Sequence, residues 1–325
     1  MGCLRRHGVD PESVADIIAK THPNRLIVDI VSSQLDADRM DYLLRDSLMT
    51  GVEYGVYDAE WLLNAMCVGR DPGADTEDRP EQAWRLCLDR ERGLYAAEQL
   101  ILARHHMMLQ VYMHRVTRGY EVMLLNLFQH AARLASEGSL PARTPEVIGV
   151  YFNQGIRMPL NDWMVFDETA MVGAIQAWSR STAAEHAWLG RMSSGFLERA
   201  RFYQGFGIGH LPLNVVMVIP EELSKAGLKK DLDWGLDNGE HLPYKGVLYG
   251  AARGAAEDEE QSTLSILLSD GDPAKKGQAI EGRSNILEGL DNDLQPLTRL
   301  YVDRSRLGAA EPVLRRLKVM DGGQS

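Results

Sequence analysis

The chain has 325 residues, 45% of them hydrophobic and 25% charged, with 46 acidic side chains against 35 basic ones and a formal net charge of -11. That length allows two or three compact units, and the acidic balance excludes bulk-charge attraction to nucleic acid, so a phosphorylated ligand needs a local basic pocket. The longest apolar runs, such as Val215 to Ile219, fall far short of the roughly 20 residues that cross a bilayer, so no membrane partner is expected.

In chain order, Asp10, Pro11, Glu12 and Ser13 before Val14, Ile17 and Ile18 predict a helix start with an apolar face, and Leu26 to Val31 is a short apolar segment. A polar helix follows from about Asp36 to Asp46, then a loop with Gly51, Gly55 and Asp58, then a helix around Trp61 to Cys67. Arg70 to Pro80, rich in Asp, Gly and Pro, reads as a surface loop. The alternation of Trp84, Leu86 and Leu88 with Arg85, Cys87 and Asp89 is a weak strand signal, and a long helix is expected from about Tyr95 to Ser136. Gly138 to Thr144 is a candidate boundary, with further helices up to about Phe202. Beyond Gly205 the short apolar runs Leu213 to Ile219, Val247 to Tyr249, Leu264 to Leu268 and Leu297 to Val302 suggest strands. Asp233 to Glu240 and Ala255 to Gln261 read as polar loops.

The expected architecture is a mainly α N-terminal two thirds followed by a smaller α+β unit, divided at 1–137, 138–204 and 205–325. The first residues, Met1 to His7, do not read as a secretion signal, so export is not expected. Cys3, Cys67 and Cys87 are an odd set without CxxC spacing, which fits neither a disulfide framework nor a zinc ribbon. A cytoplasmic location is therefore expected.

The chemistry concentrates in the polar helix. At about 100° per residue, Asp38, Tyr42, Arg45 and Asp46 share one face while Met40, Leu43 and Leu44 point elsewhere. From spacing alone the plainer reading is a solvated helix with an Asp41 to Arg45 pair, worth about 0.3–0.5 kcal/mol.

The run SSQLDADRMDYLLRDSLMTGVEYGVYD, Ser32 to Asp58, resembles the segment that closes the catalytic domain of HD-domain phosphohydrolases, in the branch of deoxynucleoside triphosphate (dNTP) triphosphohydrolases. That branch includes the SAM-and-HD-domain protein and the bacterial dGTPase-like enzymes. A second block, ARHHMMLQVYMHR from Ala103 to Arg115, resembles a later helix of the same family. By that resemblance Asp38 matches the aspartate completing the family's metal site, Arg39, Tyr42 and Asp46 match contacts to the nucleotide's triphosphate and sugar, and Arg104 and Tyr112 match further substrate contacts. The residue types suit those roles: a carboxylate is a hard ligand for a divalent ion, a guanidinium grips phosphate oxygens in pairs, and a tyrosine packs on a sugar.

The resemblance implies hydrolysis of a dNTP to deoxynucleoside and tripolyphosphate, through a divalent ion (Mn, Mg, Fe or Zn) held by a His, a His-Asp pair and the later Asp. It also implies a homo-oligomer with effector nucleotides. The chain departs from the pattern, since none of its nine histidines is followed by Asp. The family's His elements match positions upstream of Met1, so Met1 reads as a start inside a longer domain and the chain alone is expected to be inactive. His105 and His106 sit about 100° apart on a helix and suit one ion poorly. His114 reads as a helix-face residue, and Met107, Met108, Met113 and Met123 as core. Two other readings stand beside the enzyme: a noncatalytic nucleotide-binding regulatory or assembly protein, and a plain helical interaction module.

Overall fold

The computed structural model describes residues 2–72, 84–241, 266–272, 275–291 and 295–320. The apolar run at 247–249, the acidic stretch at 255–261 and the part of the expected loop at 73–80 lie outside them. The chain is mainly helical with a smaller sheet-containing region toward its C-terminus, as the composition of its segments predicts. It divides into two units, Met1–Tyr112 with His241–Gln295, and Met113–Glu240 with Pro296–Ser325. These borders differ from the expected ones at 137 and 204, because Gly138 to Thr144 is only a connection between helices of one core.

The first unit opens with α1 (Gly2–Arg6), α2 (Pro11–Ile18) and α3 (Arg25–Ser32). Asp10 caps α2 by accepting from Ser13 N at 3.0 Å, and Asn24 caps α3, so the apolar segment Leu26 to Val31 is helical. The polar helix is α4 (Ala37–Thr50). Asp36 Oδ1 caps it by accepting from Arg39 N at 2.7 Å, and Gly51 closes it in the left-handed region at φ 72°. Next comes α5 (Ala59–Asn64), shorter than expected, because Met66 to Arg70 leave it to form a strand.

That strand, β1 (Met66–Arg70), pairs antiparallel with β2 (Trp84–Asp89), and Cys67 lies directly opposite Cys87. Two short strands, β5 (Leu267–Ser269) and β6 (Gln278–Ala279), extend the sheet in the order β1-β2-β5-β6. From β2 the chain enters α6 (Gly93–Met107), and later comes α13 (Asn285–Asp291). The core joins Leu43 of α4, Leu62 of α5, Leu88 of β2 and Leu100, Ile101 and Met107 of α6, all essentially inaccessible.

In the second unit α7 (Arg115–Ser136), α8 (Glu146–Gln154), α9 (Leu160–Trp163), α10 (Glu168–Ser179) and α11 (Ala187–Leu197) follow one another. A core around Leu127, Ala131, Trp178 and Leu189 draws residues from both sides of position 137, which is why no boundary falls there. A sheet of order β3-β7-β4 is built from β3 (Tyr203–Gly207), β4 (Trp234–His241) and β7 (Gln295–Asp303), with α12 (Leu213–Lys225) and α14 (Leu307–Arg316) beside it in a core around Trp234 and Leu300.

Two expectations for this unit are corrected. Leu213 to Ile219 is helical, because its β-branched residues belong to an amphipathic pattern that buries Ile219 and Leu223 against α14. Asp233 to Glu240 contributes a strand, not a loop: Trp234 is fully buried, and the buried Asp237 carboxylate takes two bonds from Arg118, one of them from Nε at 3.0 Å. The segment looked polar because the buried Asp237 has its counter-ion on another element.

Candidate functional site

Helices α4 and α6 pack side by side in the first unit. Leu43 and Met107 fill the interior between them, so the polar residues of both are left at the rim. Just before α4, Gln34 is buried, and its side-chain oxygen accepts from Arg39 Nη1 at 3.5 Å and from Arg104 Nη1 at 3.0 Å. One carboxamide oxygen therefore holds two guanidinium groups. Arg39 also donates to Ser33 O, and its Nε lies 3.5 Å from the Asp36 carboxylate that caps the helix. Arg104 makes no ion pair among the described residues, although the Asp36 charge acts on it from a distance. Its Nε is buried without a hydrogen-bond partner among the described residues, and burial followed by the like charge of Arg39 holds its pKa below the ordinary arginine value. An anion with several oxygens would satisfy what the protein leaves unmet there.

About two helical turns further along, Tyr112 OH donates to Asp46 Oδ2 at 2.6 Å, and the Tyr42 and Tyr112 rings meet edge to face with centroids 6.4 Å apart. Burial first, then the Asp46 carboxylate, pushes the Tyr112 phenol above its usual range, so it keeps its proton at neutral pH and donates the hydrogen bond to Asp46. The structure thus brings Arg39 to Arg104 and Tyr42 and Asp46 to Tyr112. Asp38 stands exposed on the first turn of α4. The Asp41 to Arg45 pair, 2.8 Å long, is exposed as the plainer reading of this helix required.

The second helix reaches α4 twice because it is not one regular helix. Eight residues separate Arg104 from Tyr112, which in a straight α-helix leaves them roughly 80° apart. The structure inserts a π-helical turn over Met108–Tyr112, which winds less per residue and swings Tyr112 back toward α4. The expected helix from Tyr95 to Ser136 then breaks, and α7 restarts with His114 as its cap, accepting from Val116 N at 3.4 Å. His114 is therefore a capping residue and not a helix-face one. Met107 and Met123 are buried as expected of core methionines, whereas Met108 and Met113 are only half-buried.

The implied metal finds no complete set of ligands here. Among the described residues no group of three or more His, Cys, Asp or Glu side chains converges in a way that could hold an ion. His106 instead packs edge-on to Tyr54 with centroids 6.4 Å apart, and the His105 and His106 rings lie 5.8 Å apart. The donor set of the described residues does not fit the family's metal centre; Asp38 is the single ligand the resemblance assigns.

Reading the sequence assigned no role to Gln34 or Asp36, because the partners that give Gln34 its place include Arg104 on another helix, which local periodicity cannot show. A concave region of the second unit was also missed. In the second unit a cavity of 410 Å3 is lined by Arg115, Tyr120, Arg201, Phe202, Tyr301 and Arg304. Tyr301 OH donates to Arg115 O at 2.7 Å and Arg304 Nη2 to Gln204 Oε1 at 2.8 Å. Its residues come from segments far apart in the chain, so no local pattern announces it.

No family model matches the chain. It is 30% identical over 292 residues to the uncharacterized protein YwfO of Bacillus subtilis, covering 90% of this chain and 60% of that protein. An uncharacterized protein of Methanocaldococcus jannaschii is 33% identical over 121 residues, covering 37% of this chain and 25% of its own length. The chain therefore spans 60% of the length of YwfO. Among solved structures, a phosphohydrolase of Bacteroides thetaiotaomicron matches with a TM-score of 0.64 at 22% identity, over 93% of this chain and 69% of that one. The two chains share a fold.

Proposed function

We propose that this chain carries the substrate-binding wall of a phosphohydrolase of the HD type, acting on a deoxynucleoside triphosphate such as dGTP and releasing tripolyphosphate. The observation that carries the reading is the pair of guanidinium groups, Arg39 and Arg104, held together on Gln34 with the Arg104 Nε unsatisfied. Such an arrangement costs like-charge repulsion unless a phosphate chain lies across it. The fold shared with a phosphohydrolase and the two matched sequence blocks support the same reading. In it, Arg39 and Arg104 bind phosphate oxygens, Tyr42 packs on the sugar, and Asp46 holds Tyr112 so that its ring and hydroxyl are fixed at the sugar end. Asp38 is the metal ligand of this wall. A metal ion would acidify water and neutralise phosphate oxygens, but the residues described here do not build that centre, so no catalytic step is assigned to them.

One observation favours the noncatalytic alternative, a nucleotide-binding regulatory or assembly protein: the arginine- and aromatic-lined cavity of the second unit needs no metal to take a nucleotide. Calorimetric titration of the chain with dGTP and with tripolyphosphate, and an assay of tripolyphosphate release with Mn2+, separate the readings. Both ligands are expected to bind, and Arg104→Ala to weaken both by about 10- to 100-fold, the loss of a charge-assisted bond worth about 1.5–3 kcal/mol. Binding that survives Arg104→Ala unchanged rules out the α4–α6 wall as the phosphate site. If Arg304→Ala abolishes it instead, the regulatory reading holds.

A further inference from the structure

We propose that Cys67 and Cys87 form a reversible intramolecular disulfide by exchange with a low-molecular-weight disulfide, making the β1–β2 pair a redox-responsive element. The register places the two residues directly opposite each other on adjacent antiparallel strands. Opposed residues point to the same face with Cβ atoms about 4.5–5.5 Å apart, and a disulfide asks for Cα atoms about 4.4–6.8 Å and Cβ atoms about 3.5–4.5 Å apart. A small closing of the pair therefore suffices. Both are free thiols, Cys67 half-buried and Cys87 fully buried.

The sulfur of Cys87 already reaches across to the facing strand. The Cys87 sulfur sits over Gly69, two residues along β1, where a Cβ would stand only 2.7 Å from it. Gly69 accommodates the sulfur where it now sits, and a turn of Cys87 about its first side-chain bond carries it from Gly69 toward Cys67 on the same strand. The two thiols already sense one another, since Cys67 is the next cause after burial in pushing the Cys87 thiol up to about 12. Burial also raises Cys67.

Accessibility sets the order of events. The Cys67 thiolate attacks one sulfur of the small disulfide, whose S–S bond breaks and releases one thiolate, leaving a mixed disulfide on Cys67. Cys87 then loses its proton and attacks the Cys67 sulfur, the internal S–S bond forms, and the second small thiolate leaves. The protein pair is oxidised by two electrons and the small disulfide is reduced by the same two. Because only thiolates react, the rate should rise roughly tenfold per pH unit while pH stays below the raised thiol pKa values. The consequence is a covalent tie between the strand that leaves α5 and the strand that leads into α6.

The test is to incubate the folded chain with oxidised glutathione at neutral and alkaline pH, block remaining thiols, and map peptides by mass spectrometry. A peptide linking Cys67 to Cys87 is expected, formed faster at alkaline pH and lost on treatment with dithiothreitol. The exposed Cys3 should carry glutathione alone. The variant C87S should keep a stable glutathione adduct on Cys67, which in the wild type is resolved. A wild-type chain whose Cys67 keeps the adduct, or stays unmodified while Cys3 reacts, overturns the proposal, as does a crosslink that runs only through Cys3.

Discussion

Tyr57 shows how much one side chain can set at the edge of the site. Its hydroxyl donates to Met40 O at 2.8 Å, tying the loop after α4 back onto that helix, and burial followed by the Asp41 charge pushes its pKa up to about 12. An unfolded tyrosine titrates near pH 10. The native state therefore holds this proton more tightly than the unfolded chain, and the stability it contributes is complete below about pH 10 and lost as pH rises toward about 12. Tyr57→Phe should cost about 1 kcal/mol at neutral pH through the lost hydrogen bond and make the alkaline fall in melting temperature shallower. An alkaline profile parallel to that of the wild type would assign the fall to other groups, such as Tyr203 and Tyr301, whose pKa values burial also raises. Arg39, Tyr42, Asp46, Arg104 and Tyr112 could be singled out in the sequence, because their types and order resemble a family pattern. Their partners could not: Gln34 bridges two arginines 65 positions apart in the chain, and that is a tertiary fact.

At the scale of elements, the sheet of the first unit is joined to α3 by a buried ionic knot. Arg85 of β2, 2% exposed, donates to both oxygens of Asp29 on α3, at 2.6 and 3.0 Å, and to Asp71 at 2.9 Å. Asp29 also accepts from Leu86 N at 3.0 Å. Three charges out of water are tolerable only while all are paired. Asp29→Ala should therefore cost about 3–5 kcal/mol in urea unfolding, since it leaves a buried guanidinium half satisfied and a strand amide unmet. A loss under about 1 kcal/mol would mean that water reaches the knot and the charges are not buried in solution. The strand itself was weakly signalled by alternation, yet the alternation put Arg85 on the polar side. Arg85 is buried because the counter-ion comes from a helix more than fifty residues earlier. The π turn at Met108–Tyr112 was equally hidden: a continuous apolar period predicts one helix, and only packing against α4 rewards a local change of winding.

At the scale of the whole molecule, metal binding offers the clearest experiment. A native site occupied at 100 times its Kd adds about 2.7 kcal/mol of stability. Asp38 is exposed and the described residues gather no cluster around an ion, so excess Mn2+ or Mg2+ should leave the melting temperature of this chain unchanged, and Asp38→Ala should melt alongside the wild type. A metal-dependent rise abolished by Asp38→Ala would require an ion site assembled with residues that the geometry here does not bring together. The homo-oligomer and effector nucleotides that the resemblance implies are likewise open to direct measurement, by sedimentation with and without dGTP.

The sequence by itself determined the helical majority with its later sheet, the start of α4, and the residue types of the candidate wall. These depend on capping, period and side-chain chemistry, which act over a few positions and can be read in order. Tertiary structure alone decided that Leu213 to Ile219 is a helix and that Asp233 to Glu240 forms a strand, that position 137 is no border, and that Gln34 gathers two arginines. In each of these, burial against a distant segment or a counter-ion supplied by one outweighs local propensity, which amounts to less than about 1 kcal/mol per residue.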